Sequence, residues 1–283
     1  MCEDLSAIIE KNAELLSNHN RDYLNKRSCA LPTVEIMSQI VSLVSETIFP
    51  GYLGDSSIAG EMVKHHIAIN LEKIHALLCD QVDRVLKFDD NCTVERDAKA
   101  IATKFVESII DIKAKLITDV EAMYKADPAA TSMGEVIFCY PSIVAMIHHR
   151  IAHRLYELCV PIIPRIISEI AHSKTGIDIH PAAQIGRYFA IDHGTGVVIG
   201  ETCIIGENVV VYQGVTLGAK GFRYDENGNI INVPRHPIIE DNVKIYSNSS
   251  ILGRITIGHD SVIGGNMWID KDVAPFSKMI QAR

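Results

Sequence analysis

The sequence lacks both an excess of positive charge and a long apolar run. Its 35 Asp and Glu residues outnumber the 27 Lys and Arg residues, which gives a formal net charge of −8. Binding to nucleic acid or to an anionic membrane through charge requires clustered Lys and Arg. No uninterrupted apolar stretch of 18 residues is present, because CVPIIPRIISEIAH contains Arg165 and two prolines. We therefore expect no nucleic-acid or membrane partner, and we favour a small-molecule ligand.

Close cysteine pairs are also missing. The seven cysteines form no CxxC or similar pair, so the sequence predicts neither a disulfide framework nor a thiolate zinc site. The first 30 residues contain early acids and polar interruptions, where a signal peptide would need a basic start and an apolar run. Together these features predict a cytoplasmic protein in a reducing compartment.

The apolar spacing divides the chain into two parts. With 283 residues, 47% of them hydrophobic and 22% charged, the chain has a globular composition and enough length for two domains. The spacing is helical up to about residue 173 and has a period of six afterwards. We predict an α+β protein, with an all-α domain at 1–173 and a parallel β-helix of hexapeptide repeats at 174–283.

Two helices of the first part are defined by their apolar spacing. The clearest stripe steps by three or four residues and places its members on one helix face: Ile101, Phe105, Ile109, Ile112, Leu116, Val120 and Met123. This helix should end at Asp127, because Pro128 follows it. A second helix is predicted through SIVAMIHHRIAHRLYEL, to be broken by Pro161 and Pro164. We expect six to eight helices in total.

The second part repeats aliphatic residues at a six-residue step. The repeat covers Ile179, Ile185 and Ile191, then Ile199, Ile205, Val211 and Leu217, then Ile239, Ile245, Ile251, Ile257, Ile263 and Ile269. In a hexapeptide β-helix three hexads form one triangular coil, and stacked coils bury the aliphatic residues together. The two runs together predict roughly four coils.

Two features interrupt the hexads. Residues 218–238 form a polar, glycine-containing segment that we predict to be an extended loop, ending in Arg235 and His236 where the coil resumes. Between Ile191 and Ile199 the phase shifts by two residues, at Asp192, His193 and Gly194. A histidine suits proton transfer near neutral pH. A solvated turn explains the same residues without any catalytic role.

The sequence around these interruptions resembles the serine O-acetyltransferases, hexapeptide enzymes that make O-acetylserine from serine and acetyl-CoA. The resemblance rests on DIHPAAQIGRYFAIDHGTGVVIGETCIIGENVVVYQGVTLG, on the later RHP, and on DPAATS and YPSIVAMIHHRIAHRL upstream. It covers residues 120–275, more than half of the chain. It implies a left-handed parallel β-helix, a hand opposite to the usual crossover rule.

The resemblance also implies a role for individual residues. His193 matches the general base that removes the proton of the serine hydroxyl, and Asp178 matches the carboxylate that orients the imidazole. Acids would neutralise the ammonium of serine and an arginine fork would grip its carboxylate. The positions that match this amino-acid site are Asp127, Asp192, Arg235 and His236.

A groove for acetyl-CoA, the acetyl donor, follows from the same resemblance. The family places it between neighbouring subunits of a trimer, and the matching positions are Gly218, Ala219, Ser247 and Gly265. Tyr246, Ser247 and Asn248 replace the usual Gly and Ala run, which would narrow this groove. Feedback inhibition by L-cysteine is common in the family, since cysteine differs from serine by one atom.

Two departures concern assembly. Many members carry a longer tail that ends in isoleucine and docks into O-acetylserine sulfhydrylase, whereas this sequence ends at FSKMIQAR. The resemblance therefore does not carry that complex over. Residues 143–145 read IVA where relatives often have a bulky or polar pair, so trimer and hexamer both stay open as the homo-oligomeric state.

Metal sites are the first alternative. His149 and His153 have the i, i+4 spacing of a zinc pair, but HRIAH lacks the glutamate of HExxH and no third ligand is evident. A hexapeptide carbonic anhydrase would bind zinc through coil histidines, and His180, His193 and His259 do not supply that pattern. We predict no metal.

Two further alternatives share the fold. A trimeric scaffold without catalytic function explains the hexads equally well, but it gives no reason for the set of Asp178, His193, Arg235 and His236. Another hexapeptide acetyltransferase could act on a different small hydroxyl acceptor. An arginine together with three acids favours a zwitterionic acceptor such as serine.

Overall fold

The computed structural model describes residues 5–19, 30–88 and 97–281. Within these ranges the chain forms seven helices followed by sixteen short strands. The helices are α1 (Leu5–His19), α2 (Val34–Ile48), α3 (Met62–Phe88), α4 (Ala98–Ala126), α5 (Met133–Cys139), α6 (Pro141–Glu157) and α7 (Ile163–Thr175). None of these helices combines the length and the apolar character needed to cross a membrane.

The strands lie on three parallel sheets and one antiparallel pair. The first sheet contains β1 (Asp178–Ile179), β4 (Val198–Ile199), β7 (Thr216–Gly218), β12 (Ser250–Leu252) and β15 (Trp268–Ile269). The second contains β2 (Gln184–Ile185), β5 (Ile204–Ile205), β10 (Ile238–Ile239) and β13 (Thr256–Ile257). The third contains β3 (Ala190–Asp192), β6 (Val210–Tyr212), β11 (Lys244–Ile245), β14 (Val262–Ile263) and β16 (Lys278–Met279), and the pair is β8 (Arg223–Tyr224) with β9 (Ile230–Ile231).

The predicted helix stripe is confirmed in α4. All seven stripe residues are at most 9% exposed, so this face packs into the core of the helical part. Asp97 caps the N-terminus by accepting a hydrogen bond from the Lys99 amide (2.8 Å). Asp127 is the C-cap residue, directly before Pro128, as the sequence predicted.

The second predicted helix is α6, which ends at Glu157, before Pro161. The predicted break at Pro161 and Pro164 therefore separates α6 from α7. Pro164 lies in the first turn of α7, where a missing N–H removes no intrahelical hydrogen bond. Gly176 ends α7 in the left-handed conformation (φ 69°), and β1 begins two residues later.

The second part is a parallel β-helix of three sheets, as predicted. The hexad aliphatic residues point inward, and none of them is more than 6% exposed. After the interruption most strand residues pair with the residue 18 positions later, as Ile239 does with Ile257, whereas in the last coil Val262 pairs with Lys278, 16 positions later. The sheets have five, four and five strands, so the helix has about one coil more than predicted. The strand β16 lies beyond Ile269, the last predicted hexad residue.

The two-residue phase shift is confirmed by the strand register. In the first coil Ile179 pairs with Ile199, 20 positions later, so this coil is two residues longer than the 18-residue coil that joins Ile239 to Ile257. The extra residues fall in the corner between β3 and β4. The interruption at 218–238 contains the antiparallel hairpin of β8 and β9, whose strand residues are all exposed.

A buried ion pair joins the two parts. Arg150 on α6 contacts Asp119 on α4 through two hydrogen bonds, of 3.1 Å from Nε and 3.0 Å from Nη2. The same guanidinium donates to the carbonyls of Ile185 and Gly186 in the first coil. The Phe189 amide donates to Asp119 (3.2 Å). These contacts fix α4 and α6 against the segment that leads into β3.

The described cysteines form no disulfide with one another. Cys2, Cys29 and Cys92 lie outside the described residues, as does much of the N-terminal segment from which we expected no signal peptide.

Candidate active site

His193 stands in the lengthened corner after β3. Its backbone is in the left-handed region (φ 59°), followed by Gly194 (φ 87°). A Cβ on Gly194 would lie 2.6 Å from Cδ1 of Ile177, so glycine is required next to the histidine. The His193 side chain is 75% exposed. The corner therefore presents an imidazole to solvent instead of stacking it in the coil.

Asp192 lies beside this imidazole. Its Oδ1 is 3.9 Å from Nε2 of His193, and its side chain is only 15% exposed. Burial raises the pKa of the Asp192 carboxyl, the charge of His193 lowers it, and the charge of Asp127 raises it. Asp192 and Asp127 are therefore close enough to influence each other, although they are distant in sequence.

Asp127 is held by two donors. The Tyr140 hydroxyl donates to its Oδ2, and the Ala129 amide donates to its Oδ1 (2.8 Å). The hydrogen bond from Tyr140, followed by that from Ala129, lowers the pKa of the Asp127 carboxyl, and the charge of His193 adds to this effect. The same bond raises the pKa of Tyr140 to about 12. At neutral pH Asp127 is thus a carboxylate and Tyr140 a donor.

Asp178 begins β1, below the corner that carries His193. Its amide donates to the Val197 carbonyl (2.9 Å), so its backbone is tied to that corner. Its carboxylate lies within 4.8 Å of ligand atoms of Glu169 and His172 on α7. No ion pair with His193 occurs among the described residues. The predicted pairing of Asp178 with His193 stays a prediction.

Arg235 and His236 lie elsewhere on the β-helix, at the end of the interruption. Arg235 Nη2 is 2.6 Å from Oε2 of Glu201, and Nη1 donates to Oδ1 of Asn232 (3.1 Å). The Arg235 and Glu201 side chains are both 24% exposed. A guanidinium has five N–H donors, so this arrangement leaves others available for a substrate carboxylate.

His236 is fixed as a neutral donor. Its Nδ1 accepts a hydrogen bond from the Thr202 amide (3.0 Å), which assigns the proton of the neutral ring to Nε2. Burial lowers the pKa of His236 to about 4, and the charge of Arg235 contributes in the same direction. The ring packs over Gly200, where a Cβ would lie 2.0 Å from its Cδ2. The predicted role of His236 as a hydrogen-bond donor is compatible with this geometry.

These residues occupy two different edges of the triangular coil. We call the corners at 193–197, 213–215, 247–249 and 265–267 the histidine edge; they connect the third sheet to the first. We call the corners at 180–183, 200–203, 219–237 and 253–255 the arginine edge; they connect the first sheet to the second. No hydrogen bond or ion pair between described side chains joins His193 to Arg235 or His236.

The four positions expected to bind the acetyl donor divide between the same edges. Gly218 ends β7 and Ala219 follows it at the arginine edge. Ser247 and Gly265 occupy successive coils of the histidine edge, where the Asn266 amide donates to the Ser247 carbonyl (2.8 Å). A Cβ on Gly265 would lie 3.2 Å from that carbonyl oxygen. Within one chain these positions do not form a single groove.

Several neighbours of the site were not predicted. Tyr140 is the first residue of the motif YPSIVAMIHHRIAHRL, but its hydrogen bond to Asp127 depends on the packing of α6 against α4. Tyr212 pairs with Asp192 in register and stacks on Tyr246, with ring centroids 4.8 Å apart. Burial raises the pKa of Tyr212. Tyr212 lies 20 positions after Asp192, which is three hexads plus the two-residue shift, and this spacing could have identified it.

The candidate zinc pair is used in packing. The rings of His149 and His153 stack with centroids 5.6 Å apart, and His153 Nδ1 lies 2.8 Å from the Pro181 carbonyl oxygen. Among the described residues, the one group with metal-ligand spacing is Glu169, His172 and Asp178, and it contains neither member of this pair.

Comparison with known proteins identifies close relatives. No protein-family model matches the chain. The plasmid serine acetyltransferase of Synechococcus elongatus is 42% identical over 289 residues, which cover 99% of this chain and 90% of the relative. Serine acetyltransferase 1 of Entamoeba histolytica, solved in complex with L-cysteine, matches with a TM-score of 0.75 and 37% identity, covering 91% of this chain and 90% of that one. The Neisseria gonorrhoeae serine acetyltransferase in complex with serine matches with a TM-score of 0.57 and 26% identity, covering 86% of this chain and 95% of that one.

Proposed function

The chain belongs to the serine acetyltransferase family, and we propose that His193 is its general base and Asp178 the carboxylate partner of that base. One observation supports this assignment above all others. His193 is a solvent-facing imidazole, held in a left-handed corner next to two carboxylates. The left-handed conformation recurs at other corners, such as Asn248 and Asn266, so the exposed imidazole and the neighbouring carboxylates distinguish His193. The hydrogen bond from the Asp178 amide to the Val197 carbonyl of the same corner supports this pairing, because it keeps the backbone of Asp178 next to the histidine edge.

The reaction transfers an acetyl group to the hydroxyl of serine, and we assign acetyl-CoA as the donor. Neutral His193 accepts the proton of the serine hydroxyl while the oxygen attacks the thioester carbonyl. The C–S bond then breaks, and the leaving thiolate takes the proton back from the imidazolium. The products are O-acetylserine and CoA. No covalent enzyme intermediate is needed, because both substrates are bound together.

Serine would be held by the charged groups of both edges. Asp127 and Asp192 face the ammonium, and Arg235 binds the carboxylate with its remaining N–H donors. His236 adds a neutral N–H donor from Nε2. The lowered pKa of Asp127 supports this assignment, because an ammonium group requires an ionised partner.

The two edges form one site if they come from neighbouring copies. In a closed cyclic oligomer the histidine edge of each copy can face the arginine edge of the next. This arrangement brings His193 opposite Arg235 and His236. It also brings Ser247 and Gly265 opposite Gly218 and Ala219, and so forms a groove for acetyl-CoA. We therefore propose a homotrimer as the smallest active unit, with a hexamer as its dimer.

Regulation and location belong to the same proposal. L-cysteine would compete for the serine site, as its presence in the solved Entamoeba relative suggests. The lack of a disulfide at Cys79, Cys139 and Cys203 is compatible with the proposed cytoplasmic location. We propose two units that divide near residue 173, in the last turn of α7 (Ile163–Thr175). A complex with O-acetylserine sulfhydrylase is not part of the proposal.

Release of free thiol from acetyl-CoA in the presence of serine tests this assignment. Substitution of His193→Asn should lower kcat by at least about a hundredfold, since it removes the general base. His259→Asn is the matched control, because His259 is another coil histidine beside an aspartate but belongs to neither edge. Equal rates for the His193 variant and the control would refute the assignment. An equal rate with glycerol in place of serine would favour a different hydroxyl acceptor.

A further inference from the structure

A polar cavity lies between the helical part and the first coil of the β-helix. It is bounded by α4, by α6 and by the corner that follows β2, and its volume is about 260 Å³. The site proposed above uses none of its lining residues. Ligand pockets for drug-sized molecules start near 300 Å³, so this cavity is suited to a smaller molecule.

Cations dominate the lining. Lys115, Arg150, Arg154 and Arg187 all contribute to it. Arg150 is balanced by the buried Asp119, and Arg154 lies 3.1 Å from Glu157. Lys115 and Arg187 have no ion-pair partner in the part of the chain that the structure describes. Two uncompensated cations at one cavity stand out in a chain with a net charge of −8.

The acids of the cavity do not neutralise these two cations. Glu157 is engaged by Arg154 and lies 3.5 Å from His153. Asp111 is exposed at the rim and forms no ion pair with any described cation. The remaining lining atoms therefore favour a ligand of negative charge.

An unsatisfied donor supports the same conclusion. Nε of Arg154 is buried and has no hydrogen-bond partner among the described atoms. A buried N–H without an acceptor is unfavourable. Because this atom is closed off from the cavity, an anion would reach Arg154 through the other N–H donors of its guanidinium, and Nε would contribute only after a rotation of the side chain. Burial lowers the pKa of His153, and the charges of Lys115 and Arg150 lower it further against the opposite effect of Glu157. The cavity is thus electropositive from more than one side.

The ligand class follows from the donors. Arginine forks and a lysine ammonium bind tetrahedral or planar oxygen anions through charge-assisted hydrogen bonds. The volume excludes a nucleotide and admits a compact ion. We propose that this cavity binds a small multivalent oxyanion, of the phosphate, sulfate or short polycarboxylate type, at the junction of the two parts of the chain.

The junction gives such an anion a route to the rest of the molecule. Arg150 lines the cavity and also holds the carbonyls of Ile185 and Gly186. Asp119 holds the Phe189 amide, just before β3. An anion would therefore stabilise the contact between the helical part and the first coil, and unfolding of the full chain should report its binding.

The test is thermal unfolding of the full chain at constant ionic strength, with inorganic phosphate, sulfate or citrate replacing chloride. The double variant Lys115→Gln with Arg187→Gln removes the two unpaired cations. Its matched control is Lys104→Gln with Lys113→Gln, which makes the same charge change on α4 outside the cavity. The wild type and the control should show a saturable rise in Tm. The cavity variant should need about tenfold more anion for half of that rise, or show none.

The outcomes separate the ligand types. Stronger stabilisation by phosphate and sulfate identifies a tetrahedral oxyanion, and stronger stabilisation by citrate identifies a polycarboxylate. Should the double variant unfold before the titration, Arg154→Lys replaces it. That variant keeps the charge and removes the buried Nε donor, and it should weaken binding severalfold. An identical anion response of wild type, cavity variant and control, or no response beyond that of chloride, would overturn the proposal.

Discussion

At the scale of single residues, the candidate site depends on how Asp127 is kept ionised. Asp127 lies at the end of a helix, a position where partial negative charge from the carbonyl groups disfavours a carboxylate. The Tyr140 hydroxyl and the Ala129 amide offset this by donating to its two oxygens. The carboxylate is thereby available for the ammonium group of serine that we propose it binds. Tyr140 acts as a positioning residue, since its hydroxyl is committed to Asp127.

Replacement of Tyr140→Phe should raise the KM for serine by about tenfold, because Asp127 loses a charge-assisted hydrogen bond. The KM for acetyl-CoA should not change. Asp127 stays ionised in both proteins at neutral pH, because its pKa is lowered from the ordinary value of 3.8 and the variant restores it only toward that value. Steady-state kinetics at neutral pH measures both KM values. Tyr156→Phe is the control, since Tyr156 is an exposed tyrosine in the last turn of α6, the helix that Tyr140 caps at its start. A serine KM that does not rise would contradict the role of Tyr140.

At the scale of elements, the period of the sequence predicts most of the β-helix and little of the site. The six-residue step identifies the buried aliphatic positions, and the phase shift identifies the corner at His193. The contact of Tyr140 with Asp127 requires the packing of α6 against α4, which local spacing does not specify. The distribution of the site over two edges depends on the sheet that each strand joins. The strand register determines which sheet each strand joins, and the sequence alone does not specify this register.

At the arginine edge the position of the His236 ring depends on Gly200. Gly200 lies under the ring of His236, and its backbone conformation does not itself require glycine. The constraint is therefore steric. This steric constraint explains the glycine at position 200, since other residue types occupy the equivalent position in other hexads.

Substitution of Gly200→Ala should displace His236, because the new Cβ would lie 2.0 Å from its ring. We expect a rise of at least about tenfold in the serine KM and a loss of on the order of 1–3 kcal/mol in the free energy of unfolding. Kinetics and urea denaturation measure the two effects. Gly221→Ala is the control, since a Cβ there meets no atom within 4 Å. Identical behaviour of the two variants would show that the ring of His236 is not constrained by Gly200.

At the scale of the whole molecule, the helical part and the β-helix are joined through α6. Arg150 makes the junction on one side of this helix, and two buried histidines lie beside it in the sequence. His148 is 4% exposed; its Nδ1 lies 2.7 Å from the Val144 carbonyl oxygen, while Nε2 has no partner among the described atoms. Burial lowers the pKa of His148 to about 4, and it lowers the pKa of His149 as well.

This burial makes stability dependent on pH. The unfolded chain takes up a proton on His148 below pH 6.5, whereas the folded chain resists protonation down to about pH 4. The contribution of neutral His148 to the free energy of unfolding is therefore fully present above pH 6.5, and it is lost as the pH decreases toward 4. We expect His148 to lower the free energy of unfolding by about 2 kcal/mol between pH 7 and pH 5. Urea denaturation at both pH values, compared with a His148→Gln variant, measures it. The variant should lose less stability than wild type, while the exposed-residue control His65→Gln should follow wild type. An equal loss in all three proteins would contradict this explanation.

The central claim is that one active site combines the histidine edge of one copy with the arginine edge of the next. Coexpression of a His193→Asn chain with an Arg235→Gln chain, each carrying a different affinity tag, yields mixed oligomers that both tags retain. In a cyclic trimer of this kind one site has both residues intact, so thiol release should recover to about a third of the wild-type rate. Each variant alone should be nearly inactive at low serine concentration. A mixed oligomer no more active than the variants alone would show that His193 and Arg235 act within a single chain, or not at all.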